Sequence, residues 1–280
     1  MRRGQRDRQP LVCSIGSTDP TAAAGIGRDL VVYERLGARG VFAVAAVTAQ
    51  NRRRVLQVRP VSAGALAAQL EAIWQERKPD AIRIGLLPNR MLMRAVERFL
   101  RSLRSRPPVV LDPVMRASSG RRFVRPADVG ALKRLLPLVT LVTPNAAEAE
   151  ALTGVHVRNA ADAQRAAISL RTYGCAALIK GSHLTGARVV DVLADRHGVR
   201  SFAAPRIRTT VRGTGCTLAA AIAVALAHGI DLRSAIARGR AFVRRELKGR
   251  IPRLKRRGLH ILKRWRPKRR GLQLRAKGRA

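Results

Sequence analysis

Acidic residues are scarce in this chain: 17 Asp and Glu stand against 56 Lys and Arg among 280 residues, a formal charge of +39. Only eight of the basic residues are lysine, which reads as an arginine-rich coding bias more than as selection for one binding face. Cysteine is scarce too. Cys13, Cys175 and Cys216 are few, odd in number and far apart, which excludes a disulfide framework and fits a reducing compartment. Long apolar runs are missing: the longest, Leu218 to Ala227, is ten residues, half of the roughly 20 that a bilayer requires. Met1 to Pro10 lacks the apolar segment of a secretory signal, so the chain reads as cytoplasmic with no membrane span.

An apolar content of 46% in 280 residues is ample for one sizeable core, so a single large α/β unit is expected over residues 11–246, after a basic extension at 1–10. Residues 247–280 differ. They hold fifteen Lys and Arg and no Asp or Glu, with Leu259, Ile261, Leu262 and Trp265 interleaved. Three readings stand for this tail: a solvated appendage, a nonspecific contact with nucleic acid or another polyanion, and a packed element.

Short apolar runs bounded by Gly, Pro, Asp or Asn predict buried strands at 11–15, 41–47, 81–84, 109–111, 138–142 and 176–179. Between them, apolar residues at three- and four-residue spacing predict helices over 26–36, 63–77, 91–103 and 160–173. That succession implies right-handed crossovers and a mostly parallel sheet covered on both faces. Residues 189–193 and 199–202, split by Asp195-Arg196-His197-Gly198, read as a hairpin at the sheet edge, and two helices follow over 218–228 and 232–247.

Gly213-Thr214-Gly215-Cys216-Thr217 opens directly into the Ala-rich helix. Its first backbone N–H groups have no intrahelical partners, and the positive end of the helix dipole lies behind them. Such a turn suits a phosphate or a developing negative charge, although glycine at a helix start is also ordinary turn chemistry. Ligands in such sheets bind beyond the carboxyl ends of the strands. The polar residues collect there: Thr18-Asp19, Gln50-Asn51, Asp112-Pro113, Thr143-Pro144-Asn145 and Lys180-Gly181. Asp112 and Glu148, with Asn145, form an oxygen set suited to hydrated Mg2+, and Lys180 suits a nucleotide phosphate.

At these residues the chain resembles the hydroxymethylpyrimidine/phosphomethylpyrimidine kinases of thiamine biosynthesis, within the ribokinase-like superfamily. The matching segments, in order, include Ser17-Thr18-Asp19-Pro20, Thr48-Ala49-Gln50-Asn51, Ile84-Gly85, Val110-Leu111-Asp112-Pro113-Val114-Met115, Thr143-Pro144-Asn145, Ile179-Lys180-Gly181 and Gly213-Thr214-Gly215-Cys216-Thr217-Leu218. The resemblance implies a three-layer αβα fold, a homodimer, and transfer of the ATP γ-phosphoryl group to 4-amino-5-hydroxymethyl-2-methylpyrimidine and then to its monophosphate. It implies that Gln50 reads the aminopyrimidine, that Asp19, Leu86 and Val114 complete its pocket, and that Asp112, Asn145 and Glu148 organise Mg2+ and phosphates. Lys180 then meets the nucleotide, and Gly213, Thr214, Gly215 and Cys216 form the anion hole. Ser17, Ala22-Ala23 and Arg212 depart from the family, which has glycine, a Gly-Gly pair and histidine there.

Cys216, at a helix start, is expected to have a lowered pKa and to accept a proton, or else to be simply a small residue. Two other functions are weighed: a pyridoxal kinase of the same superfamily, and a catalytically impaired ribokinase-like protein whose tail binds a polyanion.

Overall fold

The computed structural model describes residues 9–51, 53–183, 186–207 and 212–249. The three readings of the tail therefore concern residues that lie almost wholly outside the described ones. Strands β1 (Leu11–Ser17) and β2 (Arg39–Gln50) run parallel, and β3 (Val55–Pro60) adds antiparallel to β2 at one edge. On the other side of β1 lie, in order and parallel, β4 (Ala81–Ile84), β5 (Val109–Leu111), β6 (Leu141–Val142) and β7 (Ala176–Ile179). The hairpin β8 (Arg188–Asp195) and β9 (Gly198–Pro205) closes that edge, giving a nine-stranded sheet in the order 3-2-1-4-5-6-7-8-9.

Alternation along each strand sends side chains to opposite faces, and two separate cores result. Val12, Ala81, Val110, Leu141 and Leu178 pack under α1 (Gly25–Arg35), α7 (Thr214–Ala227) and α8 (Leu232–Leu247). Ile15, Ile84, Leu111, Val142 and Ile179 pack under a second layer, formed by α2 (Ala63–Glu76), α3 (Arg90–Ser102), α4 (Val129–Lys133), α5 (Ala146–Thr153) and α6 (Ala160–Arg171). The expected three-layer αβα architecture is the observed one. Helix α7 is apolar all round and buried from Thr217 to Leu226, as a helix lying between the sheet and α8 must be.

Three local expectations change. The strand expected at 138–142 shortens to Leu141–Val142, because Leu136–Leu138 is a 3-10 turn around Pro137, which has no N–H to give a ladder. Strand β3 escapes the sequence because Val55–Pro60 is exposed along most of its length and ends in proline, so it shows neither an apolar run nor clean alternation. Helix α5 is signalled only by its start, where Asn145 and Glu148 form a capping box.

Candidate active site

Ile15, Ile84, Leu111 and Val142 stand abreast in the parallel register. The next residue of each strand, Gly16, Gly85, Asp112 and Thr143, therefore turns to the opposite face, beneath α7. Lys180 follows β7 and pairs in register with Asn145. Its ammonium reaches back to donate to Asp112 Oδ1 at 2.7 Å and lies 3.9 Å from Glu148 Oε2. Over this cluster stands the first turn of α7. Gly213 has φ +79°, and a Cβ there would lie 1.9 Å from the Ala23 carbonyl oxygen, so the turn admits only glycine. A Cβ on Gly215 would lie 3.2 Å from Lys180 Nζ, which places the uncapped amides of α7 directly against the lysine.

Burial pushes the Asp112 carboxyl up, but Lys180 and Arg83 outweigh it and hold it below the usual carboxylate range. Burial likewise works against the Lys180 ammonium, yet Asp112 and Glu148 raise it above its ordinary value. Glu148 is raised, chiefly by burial and with Asp112 adding to it, against the lowering pull of Lys180. The resulting site carries a fixed cation over a fixed anion, beside amide donors that no side chain among the described residues caps. This arrangement can receive negative charge that moves between bound groups.

Several expected roles change on this geometry. Asp112 and Glu148 do not fit direct ligation of Mg2+, because the Lys180 ammonium already occupies the space between them and Arg83 holds the other Asp112 oxygen at 2.9 Å. Asn145 and Glu148 are held by each other as well: the Glu148 amide donates to Asn145 Oδ1 at 2.9 Å and the Asn145 amide to Glu148 Oε2 at 2.8 Å. Cys216 does not have the lowered pKa expected of a helix start. Burial raises its thiol, with Asp112 and Asp29 adding to this against Arg83, so a resting thiolate base is not what the site holds. Asp19 uses both oxygens to shape the turn into α1, accepting from the Thr21 amide and hydroxyl at 2.9 and 2.8 Å and from the Ala24 amide at 3.1 Å. That turn contains Ala22 at φ +50°, where glycine is the comfortable residue.

Gln50 ends β2 half-buried, and its side-chain amide has no protein hydrogen-bond partner among the described residues. Leu86 is buried and Val114 half-buried, both in or against the core on the α2 face. Sequence reasoning missed Arg83 and Asp29, which lie behind Asp112, and the tether formed by Arg212. Arg212 donates to Ser118 Oγ at 2.8 Å and to the Asn51 carbonyl at 2.9 Å, joining three loops at the mouth of the site. The available signal for Arg83 was an arginine inside the four-residue buried strand Ala81–Ile84.

The phosphomethylpyrimidine kinase family matches residues 19–259. The hydroxymethylpyrimidine/phosphomethylpyrimidine kinase of Rhizobium meliloti (strain 1021) is 39% identical over 237 residues, covering 83% of this chain and 88% of that protein. The crystal structure of phosphomethylpyrimidine kinase from Clostridium difficile 630 superposes with a TM-score of 0.76 at 28% identity, covering 85% of this chain and all of that one. Pyridoxal kinase from Staphylococcus aureus, solved with AMP-PCP and pyridoxal, gives 0.78 at 27% identity, covering 86% of this chain and 89% of that one. With a family match over most of its length and a relative this similar, the chain belongs to the phosphomethylpyrimidine kinase family.

Proposed function

We propose that the protein transfers the γ-phosphoryl group of ATP to the hydroxymethyl group of 4-amino-5-hydroxymethyl-2-methylpyrimidine, and then to the phosphate of the resulting monophosphate. The observation that carries this reading is the meeting of Lys180, Asp112 and the uncapped α7 amides at the carboxyl end of the sheet. Phosphoryl transfer asks the protein for positioning and for neutralisation of spread negative charge, which these groups supply. Lys180 meets the nucleotide phosphates, and the Gly213 to Cys216 amides receive the phosphoryl group in transit. Gln50 offers an amide matched to the aminopyrimidine, with Leu86 and Val114 closing the pocket. Asp19 acts through the turn that it organises against Gly213. Cys216, a neutral thiol, contributes a small side chain and an amide to the anion hole. Magnesium is proposed to enter with the nucleotide and not on the Asp112 and Glu148 pair.

The kinase unit is proposed to end with α8. Glu246 pairs with Arg35 at 2.7 Å and with Arg28, whose Nε donates to Thr217 Oγ1 at 2.9 Å, so α8 ends beside the first turn of α7. Truncation after Leu247 is expected to keep kinase activity, and the intact chain is expected to bind polyanions more strongly at low salt. Cytoplasmic residence and a homodimer remain part of the proposal. An ATP-consumption assay offering the pyrimidine alcohol, its monophosphate and pyridoxal in parallel tests the function. Turnover of both pyrimidines with pyridoxal far behind is the expected result, and a preference for pyridoxal, or no consumption with any of the three, overturns it.

A further inference from the structure

Arg83 is the one charged residue of β4 and is 1% exposed, set between Ile82 and Ile84 in the middle of the sheet. Its side chain lies on the α1 and α7 face, beside Ser14 in register on β1. From there the guanidinium folds forward over Gly85, where a Cβ would lie 2.1 Å from Nη1 and 2.9 Å from Cζ, so the glycine two residues on clears its path. Nη2 then donates to Asp112 Oδ2 at 2.9 Å while Nη1 donates to Asp29 Oδ2 at 3.1 Å. Asp29, wholly buried on α1, also accepts from Ser14 Oγ at 2.7 Å, and the Ser14 hydroxyl lies 2.8 Å from the Tyr33 hydroxyl. Two atoms of this network, Arg83 Nε and Asp29 Oδ1, have no hydrogen-bond partner among the described residues.

Stability does not explain this arrangement. A buried ion pair is generally matched or bettered by apolar side chains of similar volume, and the flanking positions of the same strand are isoleucine. Charge balance supplies a reason. Lys180 faces two carboxylates, Asp112 at 2.7 Å and Glu148 at 3.9 Å, and Arg83 draws on the first of them, so that less of the Asp112 charge falls on the ammonium beneath the α7 amides. A second effect is geometric: with one oxygen pinned by Arg83, Asp112 has only the other to offer, and that one fixes the Lys180 ammonium under Gly215.

We propose that Arg83, braced from behind by Asp29, is a positioning residue for phosphoryl transfer: it pins and shares the charge of Asp112 so that Lys180 is held in place under the α7 amides. This rests on the phosphoryl-transfer reading above and adds a buried pair, lying behind Asp112 on β4 and α1, to the machinery. Asp29 is pushed up to about 6, first by burial, against the lowering pull of Arg83, which agrees with a carboxylate retained at a cost for its partner.

Arg83→Met is expected to lower kcat about 30- to 100-fold with KM for the pyrimidine within about threefold, on the scale of a lost charge-stabilising donor. Arg83→Lys, which keeps the charge but loses the fork that reaches Asp29 and Asp112 together, is expected to recover only part of the Arg83→Met loss. On a Lys180→Met background the Arg83→Met change should cost less than about threefold more, since its effect passes through that lysine. Equal losses on both backgrounds, or undiminished kcat in a folded Arg83→Met protein, overturn the proposal. Should Arg83→Met fail to fold, Gly85→Ala and the isosteric Asp29→Asn take its place. Each is expected to lower kcat several-fold at unchanged KM, and full activity in both overturns the proposal. A readout independent of turnover separates this from the kinase reading. Cys216 is half-buried while Cys13 and Cys175 are buried, so iodoacetamide reaches Cys216 before the other two, and the Arg83 charge lowers its thiol against the pull of burial. Arg83→Met should move the midpoint of the alkylation pH profile upward, and an unmoved midpoint in the folded variant removes Arg83 from the site whatever the reaction is.

Discussion

The two faces of the central sheet are made by alternate residues of the same strands, yet one is apolar throughout and the other is not. Under α2 to α6 the strands present Ile15, Ile84, Leu111, Val142 and Ile179. Under α1 and α7 the same strands present Ser14, Arg83, Asp112, Thr143 and Lys180, all buried. The apolar face gains from burying hydrocarbon and needs no particular partner. The polar face must satisfy each buried group from a different element, so it is tied together by specific distances: Ser14 to Asp29, Asp29 to Arg83, Arg83 to Asp112, Asp112 to Lys180. One face is held by burial alone, and the other holds buried charges in fixed pairs.

That division is open to mutation, and the largest expected effect lies at the end of the polar face. Gly215→Val places a branched side chain against Lys180 and the α7 amides. It is expected to lower kcat 10²- to 10³-fold, about 3–4 kcal/mol of transition-state stabilisation, with a thermal midpoint near that of the parent. A folded, fully active Gly215→Val protein would remove the anion hole from this helix. The matching cut on the apolar face is Leu66→Ala. Leu66 is fully buried, so its loss should lower unfolding free energy by about 3 kcal/mol, read by chemical denaturation, while kcat at a temperature where the protein is folded stays close to that of the parent. A large loss of kcat there would show that the two faces are not separable.

If Gln50 reads the aminopyrimidine as proposed, Gln50→Leu keeps volume but leaves ring donors and acceptors unpaired. KM for the pyrimidine should rise by the equivalent of about 1–3 kcal/mol while KM for ATP barely moves, as steady-state kinetics with each substrate varied would show. An equal rise in both would point to a general defect. The smallest effect is expected at Ala22, whose φ of +50° is costly for any residue with a Cβ. Ala22→Gly should raise unfolding free energy by up to about 1 kcal/mol, the relief of a left-handed conformation less the added chain entropy of glycine. A lower thermal midpoint would mean that the turn is not strained.

Much of the fold was legible because its signals are local. The strands at 81–84, 109–111 and 176–179 and the helices at 63–76 and 160–171 lie within two residues of where periodicity puts them. Helix α7 was legible from a glycine turn followed by an apolar run. The roles of individual polar groups were less so. Asn145 and Glu148 looked like metal ligands in a line of sequence, whereas their spacing of three is that of a capping box, and the structure makes one. Cys216 looked activated by its helix, and burial wins.

The sequence by itself determined the parallel three-layer architecture and the end of the sheet where polar residues gather, because apolar alternation and turn residues act over a few neighbours. Only the tertiary structure decided which charges meet. Asp29, Arg83, Asp112 and Lys180 are 29 to 68 residues apart where they pair across Arg83–Asp112 and Asp112–Lys180, and 54 apart at Arg83–Asp29. No local pattern ties such positions to one another. Their partnership follows from strand order, register and the placement of α1 over β1 and β2, and in a buried space each charge then takes the state that its new neighbours impose.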